Sequence, residues 1–181
     1  MARGIVLHFD PAAEEAVQGV WDRLEAAGIP SLRSFTHRRH RPHISLVVAD
    51  RLDAGGWQDE LRASLFEGEL LGLELGPAAA FPGWVYLAVA ASPRLAGAHA
   101  RVFATLGRSA EGVWEHCRPD KWVPHCTLAG ELSPEQAEEA FRLAGSAPLP
   151  IRATVAAAMI VDAETGAEES LWTAPDPGRG W

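Results

Sequence analysis

A five-residue pattern, Pro-His-x-(Ser or Thr)-Leu, occurs twice in this chain, at Pro42–Leu46 and at Pro124–Leu128. The two histidines, His43 and His125, are 125 − 43 = 82 residues apart. Because the chain contains 7 His, one bare His-x-hydroxyl match would carry little weight, but the matching Pro and Leu strengthen the repeat. Residues two positions apart on a β-strand point to the same face, so each histidine would share a face with a hydroxyl group.

The same spacing relates other parts of the chain, which suggests two similar halves. A shift of the sequence by 82 residues aligns Asp10 with Ser92, and a proline follows each of them. A short polar residue is typical of a helix N-cap, and proline is typical of the first helical residue. Coincidence between two amphipathic helices is the alternative explanation. The spacing also aligns Val20, Trp21 and Leu24 with Val102, Phe103 and Leu106, and Arg39 with Lys121.

Apolar periodicity and turn residues predict the order of the elements. Some neighbouring strands are joined by only a few residues, which requires antiparallel pairing. We therefore predict an α+β fold of two pseudo-symmetric lobes, each a small, mainly antiparallel sheet with helices on its outer face, and an active cleft between the sheets. Helices are predicted at 11–27, 56–66, 93–106 and 133–144, the last from a Ser-Pro-Glu-Gln capping box, and strands at 5–9, 43–48, 70–75, 84–90, 124–129, 151–155, 158–161 and 170–173.

The length of 181 residues is suited to a single bilobal domain, with approximate repeat halves 1–80 and 81–175 and a mobile tail at 175–181. No apolar run reaches the ~18 residues of a membrane-spanning helix, and Met1–Ile5 lacks the long apolar segment of a signal peptide. We expect a cytoplasmic protein, a monomer with no membrane partner. Cys117 and Cys126 are interpreted as thiols, with a disulfide between them as the alternative, and Cys126 is predicted to face the core, as is Ile44.

Charge is distributed unevenly along the chain. The net charge of −8 argues against a protein that coats nucleic acid non-specifically. No acidic residue lies between Glu25 and Asp50, and the arginines there would attract an anionic substrate to His43, although a solvated basic loop is the alternative. These arginines are Arg33, Arg38, Arg39 and Arg41.

The paired motifs, flanked as Arg-Pro-His-Ile-Ser-Leu and Trp-Val-Pro-His-Cys-Thr-Leu-Ala, resemble the 2H phosphoesterase superfamily, in particular its 2′-5′ RNA ligase-like and RNA 2′,3′-cyclic phosphodiesterase branch. The resemblance implies a bilobal fold with both histidines facing across a cleft, and no metal or nucleotide cofactor. It implies catalytic roles for His43 and His125 and phosphate contacts from Ser45 and Thr127. The partner it implies is an RNA end or a small nucleotide that carries a cyclic phosphate or a 2′-5′ linkage.

Two histidines are chemically suited to this reaction because His titrates nearest neutral pH. Hydrolysis of a 2′,3′-cyclic phosphate requires one proton to be taken from the attacking water and another to be given to the departing ribose oxygen. One neutral and one protonated imidazole supply both, while the hydroxyls stabilise charge on the non-bridging oxygens. The reverse reaction would join a cyclic phosphate to a 5′-hydroxyl without ATP. The residues leave open which histidine is the base.

Other residues near the motifs carry weaker signals. By strand parity His8 and Tyr86 would face the cleft, and Tyr86 would stack on a nucleobase, with half-buried packing as its alternative. Trp84 has the same parity but begins its strand. A metal site at His37, His40 and His43 is disfavoured, because an Arg-rich loop would repel a cation. A non-catalytic or substrate-shifted relative that binds an anionic nucleotide in the same cleft is the alternative function.

Overall fold

The computed structural model describes residues 1–53, 55–66, 71–107 and 109–174. The tail predicted to be mobile lies outside these residues. No helix in the described part of the chain is long and apolar enough to cross a membrane. The helices are α1 (Pro11–Ala26), α2 (Trp57–Ser64), α3 (Pro93–Leu106) and α4 (Pro134–Gly145), and the strands are β1 (Arg3–Phe9), β2 (His43–Leu52), β3 (Gly72–Phe81), β4 (Trp84–Val89), β5 (Ala110–Val113), β6 (His125–Ala129), β7 (Ile151–Asp162) and β8 (Glu168–Thr173).

The strands form one curled antiparallel sheet in the order β5-β2-β1-β7-β3-β4-β6, with β8 paired to β7. The long strand β7 joins two lobes: residues 151–154 pair with β3, and residues 155–162 pair with β1. The first lobe therefore contains β5, β2, β1 and β8, and the second contains β3, β4 and β6. The predicted α+β, two-lobed fold is confirmed, and each lobe draws strands from both halves of the sequence.

The helices cross between the lobes. Helix α1 follows β1 of the first lobe but packs against β6, β7 and α4, whereas α3 follows β4 of the second lobe but packs against β2 and α2. One continuous apolar core results, and it includes Val17, Trp21 and Leu24 of α1 and Leu95 and Val102 of α3. Because each lobe is covered by a helix that begins in the other, burial of the helices also holds the lobes together.

The predicted helix starts are confirmed. The Asp10 side chain accepts a hydrogen bond from the Ala13 amide at 3.1 Å, and the Ser92 side chain accepts one from the Leu95 amide at 3.2 Å. The two caps are thus the same interaction at positions 82 residues apart. At α4, Ser133 and Gln136 form the predicted capping box.

Strands β3, β5 and β7 differ most from the predictions, and β2 runs four residues past its predicted end to Leu52. The predicted strands at 151–155 and 158–161 are one strand, β7, because Ala156 and Ala157 contain no turn signal and a register shift of β1 at His8/Phe9 keeps the ladder continuous. Strand β3 runs past Gly76 and Pro77 to Phe81, since a bulge leaves both residues outside the ladder with β4. The four-residue strand β5 was not predicted.

Candidate active site

The two histidine motifs lie next to each other on β2 and β6, at the junction of the lobes. The indole N–H of Trp122, just before β6, donates to the Ser45 carbonyl of β2 at 3.0 Å. The Cys126 thiol of β6 is hydrogen-bonded to the backbone of His43. Side chains of one motif therefore bind the backbone of the other, which brings the paired histidines to one place.

Both histidine rings are anchored in the same way. Nδ1 of His43 is 2.7 Å from the Arg41 carbonyl oxygen, and Nδ1 of His125 is 2.7 Å from the Val123 carbonyl oxygen. A carbonyl oxygen only accepts, so Nδ1 carries the proton that it donates and Nε2 is left for proton transfer. The backbone thus selects the same tautomer and fixes the ring direction in both motifs.

The alternation predicted for the two strands is observed. Ile44 and Cys126 are fully buried in the core, whereas His43, Ser45 and Thr127 are only partly buried. Cys126 and Cys117 are both free, buried thiols, and burial raises the pKa of Cys126 to about 12. The face opposite the core therefore carries the titratable rings and the hydroxyl groups.

Burial above all, together with the neighbouring rings of His8, His40 and His125, lowers the pKa of His43 to about 4, against an opposing hydrogen bond to the Arg41 backbone. The His125 ring is one of the causes of the lowered pKa of His43, as expected for two rings that lie near each other. His43 is therefore neutral at pH 7.

We expect NMR titration of the histidine ring protons to place His43 near pH 4, instead of the 6.5 of an exposed histidine. An oxyanion bound beside the ring favours its charged form, so saturating phosphate is expected to move the midpoint upward. The unfolded chain takes up this proton first, at about pH 6.5, so the free energy of unfolding decreases as pH falls from 6.5 towards 4. A midpoint of 6 or above without ligand would contradict the burial of His43.

His8, Tyr86 and Trp84, which strand parity places on the cleft face, differ in their exposure and in their contacts. His8 is 2% exposed, and its ring nitrogens contact the Pro42 carbonyl at 3.2 Å and Glu168 at 3.1 Å, so neither is free for a ligand. Tyr86 is 7% exposed and its ring centroid is 5.1 Å from that of His125. Trp84 packs edge-on against Phe35, with centroids 5.9 Å apart.

Phe81 is a site residue that the sequence analysis missed. Its ring stacks on Tyr86 at 4.5 Å and meets His125 edge-on at 5.9 Å, while 43% of the residue is exposed. The prediction ended β3 at Leu75, before the Gly-Pro pair, and so left Phe81 in a turn. The available signal was the Phe-Pro-Gly-Trp sequence, which forms the β3–β4 turn and pairs Phe81 with Trp84.

The arginine cluster is partly neutralised. Arg33 pairs with Asp22 at 2.5 Å, and Arg41 pairs with Glu14 at 2.7 Å and Glu168 at 3.6 Å. Arg38 and Arg39 have no acidic partner among the residues that the structure describes. Attraction of an anion by this loop therefore depends mainly on these two residues, and it stays a prediction.

His37 and His40 lie beside the first motif. Their ring centroids are 4.1 Å apart, and His40 stacks near His43 at 6.4 Å. Burial, together with the neighbouring His37 ring, lowers the pKa of His40 to about 4. Among the described residues, no three His, Cys, Asp or Glu side chains are grouped to hold a metal ion.

Comparisons with known proteins agree with the fold. A family model described as the 2′-5′ RNA ligase superfamily matches residues 9–167. A solved structure described as a phosphoesterase is 17% identical, with a TM-score of 0.53, over 93% of this chain and 92% of that chain. Apo LigT of E. coli is 18% identical, with a TM-score of 0.56, over 93% and 91%. E. coli LigT complexed with 3′-AMP is 17% identical, with a TM-score of 0.52, over 92% and 90%. No curated protein sequence gives a significant match.

Proposed function

The chain belongs to the 2′-5′ RNA ligase superfamily, and on that basis we propose that it is a metal-independent phosphoesterase that hydrolyses, or reversibly forms, 2′,3′-cyclic phosphate or 2′-5′ phosphodiester bonds. The resemblance to the 2H phosphoesterases is confirmed by this membership. The observation that carries the proposal is the matched pair of rings, His43 and His125, each anchored through Nδ1 at 2.7 Å with Nε2 left for chemistry. Binding of an anion alone would not require two titratable rings held in this way.

In the proposed reaction a neutral imidazole takes a proton from water as the water oxygen bonds to phosphorus. The other imidazole, protonated, gives its Nε2 proton to the ribose oxygen as the bond between that oxygen and phosphorus breaks. The products are a phosphomonoester on one ribose hydroxyl and a free second hydroxyl, and one proton has moved from one ring to the other through the substrate. In the reverse direction the two rings exchange roles.

Ser45 and Thr127 are proposed to donate hydrogen bonds to the non-bridging phosphate oxygens. Each stands two residues after its histidine on the same strand, so ring and hydroxyl share a face. The Ser45 backbone is fixed by Trp122, and Thr127 is opposite Tyr86 in the β4–β6 ladder. Donors held in place before the reaction stabilise developing charge without the cost of reorientation.

A small nucleotide or an RNA end is the proposed substrate. LigT of E. coli has been solved with 3′-AMP, a nucleotide with a phosphate on its ribose. The exposed ring of Phe81 beside His125 offers a surface on which a nucleobase can stack. Both cysteines are free thiols, and we propose that the protein acts as a monomer in the cytoplasm.

The proposed function is tested by assaying the purified protein with nucleoside 2′,3′-cyclic phosphates, with and without EDTA. We expect turnover to a phosphomonoester at the same rate in both, because the two rings supply the acid and the base. Turnover lost in EDTA and restored by a divalent cation would contradict the metal-independent mechanism. Absence of turnover on cyclic nucleotides, RNA ends and 2′-5′ dinucleotides, with retained nucleotide binding, would instead support the non-catalytic alternative.

Replacing Phe81 by Ala is expected to raise KM for a cyclic nucleotide about tenfold with little change in kcat, because a stacked base contributes ~1–3 kcal/mol. Phe141→Ala is the matched control, since Phe141 is 46% exposed but belongs to α4. Steady-state kinetics of both variants check the prediction. An equal KM in Phe81→Ala and the parent would show that the base does not contact this ring.

A further inference from the structure

His8 is a buried histidine next to the first motif. It is 2% exposed, it is opposite His43 in the β1–β2 ladder, and the two ring centroids are 6.3 Å apart. Its Nδ1 is 3.2 Å from the Pro42 carbonyl oxygen, and its Nε2 is 3.1 Å from Oε1 of Glu168 on β8. Both ring nitrogens are thus in contact with oxygen atoms of the protein.

These oxygens determine where the protons of His8 are. The Pro42 carbonyl only accepts, so Nδ1 must carry a proton. The Glu168 carboxylate also only accepts while it is ionised, and it forms an ion pair with Arg41 at 3.6 Å. Glu14, whose Oε1 is 3.9 Å from Nδ1, is ion-paired with Arg41 at 2.7 Å. Two acceptors on one ring fit an imidazolium, and the two nearby carboxylates offset its buried charge.

We propose that His8 carries protons on both ring nitrogens at neutral pH and acts as a positioning residue for His43, holding the Arg41–His43 segment and favouring the neutral form of the His43 ring. The second part rests on the proposed function of His43. His8 makes no contact with substrate in this role, in place of the direct contact expected from strand parity.

The backbone connects His8 to the orientation of His43. His8 donates to the Pro42 carbonyl, and the carbonyl of the preceding residue, Arg41, accepts the Nδ1–H of His43. The Arg41 side chain binds the same carboxylates that face His8. Two consecutive carbonyls and one guanidinium are therefore fixed by a single group of side chains, and the direction of the His43 ring depends on them.

The charge of His8 acts on His43 through space. At 6.3 Å between centroids, a cationic His8 opposes a second positive charge on His43. The other groups that face His43 are His40 and His125, which also disfavour its protonation. The charges that face His8 itself are Glu14, Glu168 and Arg41. Since Glu14 and Glu168 balance Arg41 and His8, loss of the His8 charge leaves His43 easier to protonate.

The protonation state of His8 is tested by ¹⁵N NMR of histidine-labelled protein at pH 7. We expect both ring nitrogens of His8 to show the shifts of protonated nitrogen. His99 is the matched internal control: it is 3% exposed, its Nε2 binds the Cys117 carbonyl at 2.9 Å, and burial lowers its pKa, so it should show one unprotonated nitrogen. An unprotonated nitrogen on His8 would overturn the proposal, whether or not the protein turns over any substrate.

The positioning role is tested with His8→Gln and Glu168→Gln. In His8→Gln we expect the NMR midpoint of His43 to rise by about one pH unit and the acidic limb of the kcat/KM profile to move to higher pH, because a positive charge 6.3 Å from the His43 ring is removed. In both variants we expect kcat to fall about tenfold and KM to change less than twofold, because the Arg41–His43 segment is held less firmly. Glu169→Gln, at the neighbouring carboxylate, which pairs with Arg3, is the control expected to change none of these. If His8→Gln does not fold, the nearly isosteric Glu168→Gln carries the test through kcat and KM. An unchanged His43 midpoint in folded His8→Gln, or an unchanged kcat in Glu168→Gln, would overturn the positioning role.

Discussion

Replacing His43 by Ala, or His125 by Ala, is expected to lower kcat for 2′,3′-cyclic nucleotide hydrolysis at least about a thousandfold. Each substitution removes one of the two rings that the proposed mechanism uses, and general acid–base catalysis by a positioned side chain contributes roughly 10²–10⁴-fold. A second substitution in the same protein is expected to add little, since one proton donor without its acceptor cannot complete the transfer. Steady-state and single-turnover kinetics measure the loss.

The fold should survive these substitutions. His43 and His125 are partly exposed, and the residue that follows each one, Ile44 or Cys126, supplies the core contact. Thermal unfolding midpoints at pH 7 are expected to stay close to the parent value. His37→Ala is the matched control, a histidine of the neighbouring loop with no role in the mechanism. Turnover by folded His43→Ala near the parent rate would eliminate the two-histidine mechanism.

Local sequence signals predicted the parts of the fold that local interactions determine. Asp10, Ser92 and Ser133 each cap a helix through an amide three residues away, so the sequence itself contains both partners. The burial of Ile44 and the partial exposure of His43 followed from the alternation of side chains along a single strand. The pairing of two motifs 82 residues apart then indicated that their faces meet.

The remaining features depend on distant parts of the chain. His8 was placed in the cleft by parity, but its partner Glu168 is 160 positions away and decides what the ring can do. Trp122 binds the Ser45 carbonyl across 77 positions, and no periodicity signals such a contact. The sequence also did not predict that α1 and α3 each pack on the lobe opposite to the one in which they begin. An apolar stripe on a helix shows which face is buried, but it does not show which sheet that face will cover.

Removal of the hydroxyl groups of Ser45 and Thr127 is also expected to lower kcat strongly. Ser45→Ala and Thr127→Val should each lower kcat about tenfold to a hundredfold, because each removes one donor to the non-bridging phosphate oxygens. Thr127→Val keeps the β-branched shape that strand β6 requires, so its loss reports on the hydroxyl group alone. Ser170→Ala and Thr105→Val, at sites on β8 and α3, are the matched controls.

The double variant distinguishes phosphate binding from a structural role. If both hydroxyls donate to the same phosphate, Ser45→Ala/Thr127→Val should lose about a thousandfold in kcat while the NMR midpoint of unliganded His43 stays near 4. Saturating phosphate should then raise that midpoint less than in the parent, because the anion is held less firmly beside the ring. A double variant with parent-like kcat would mean that other donors hold the phosphate. It would also mean that catalysis does not depend on placing a hydroxyl group on the same strand face as each histidine ring.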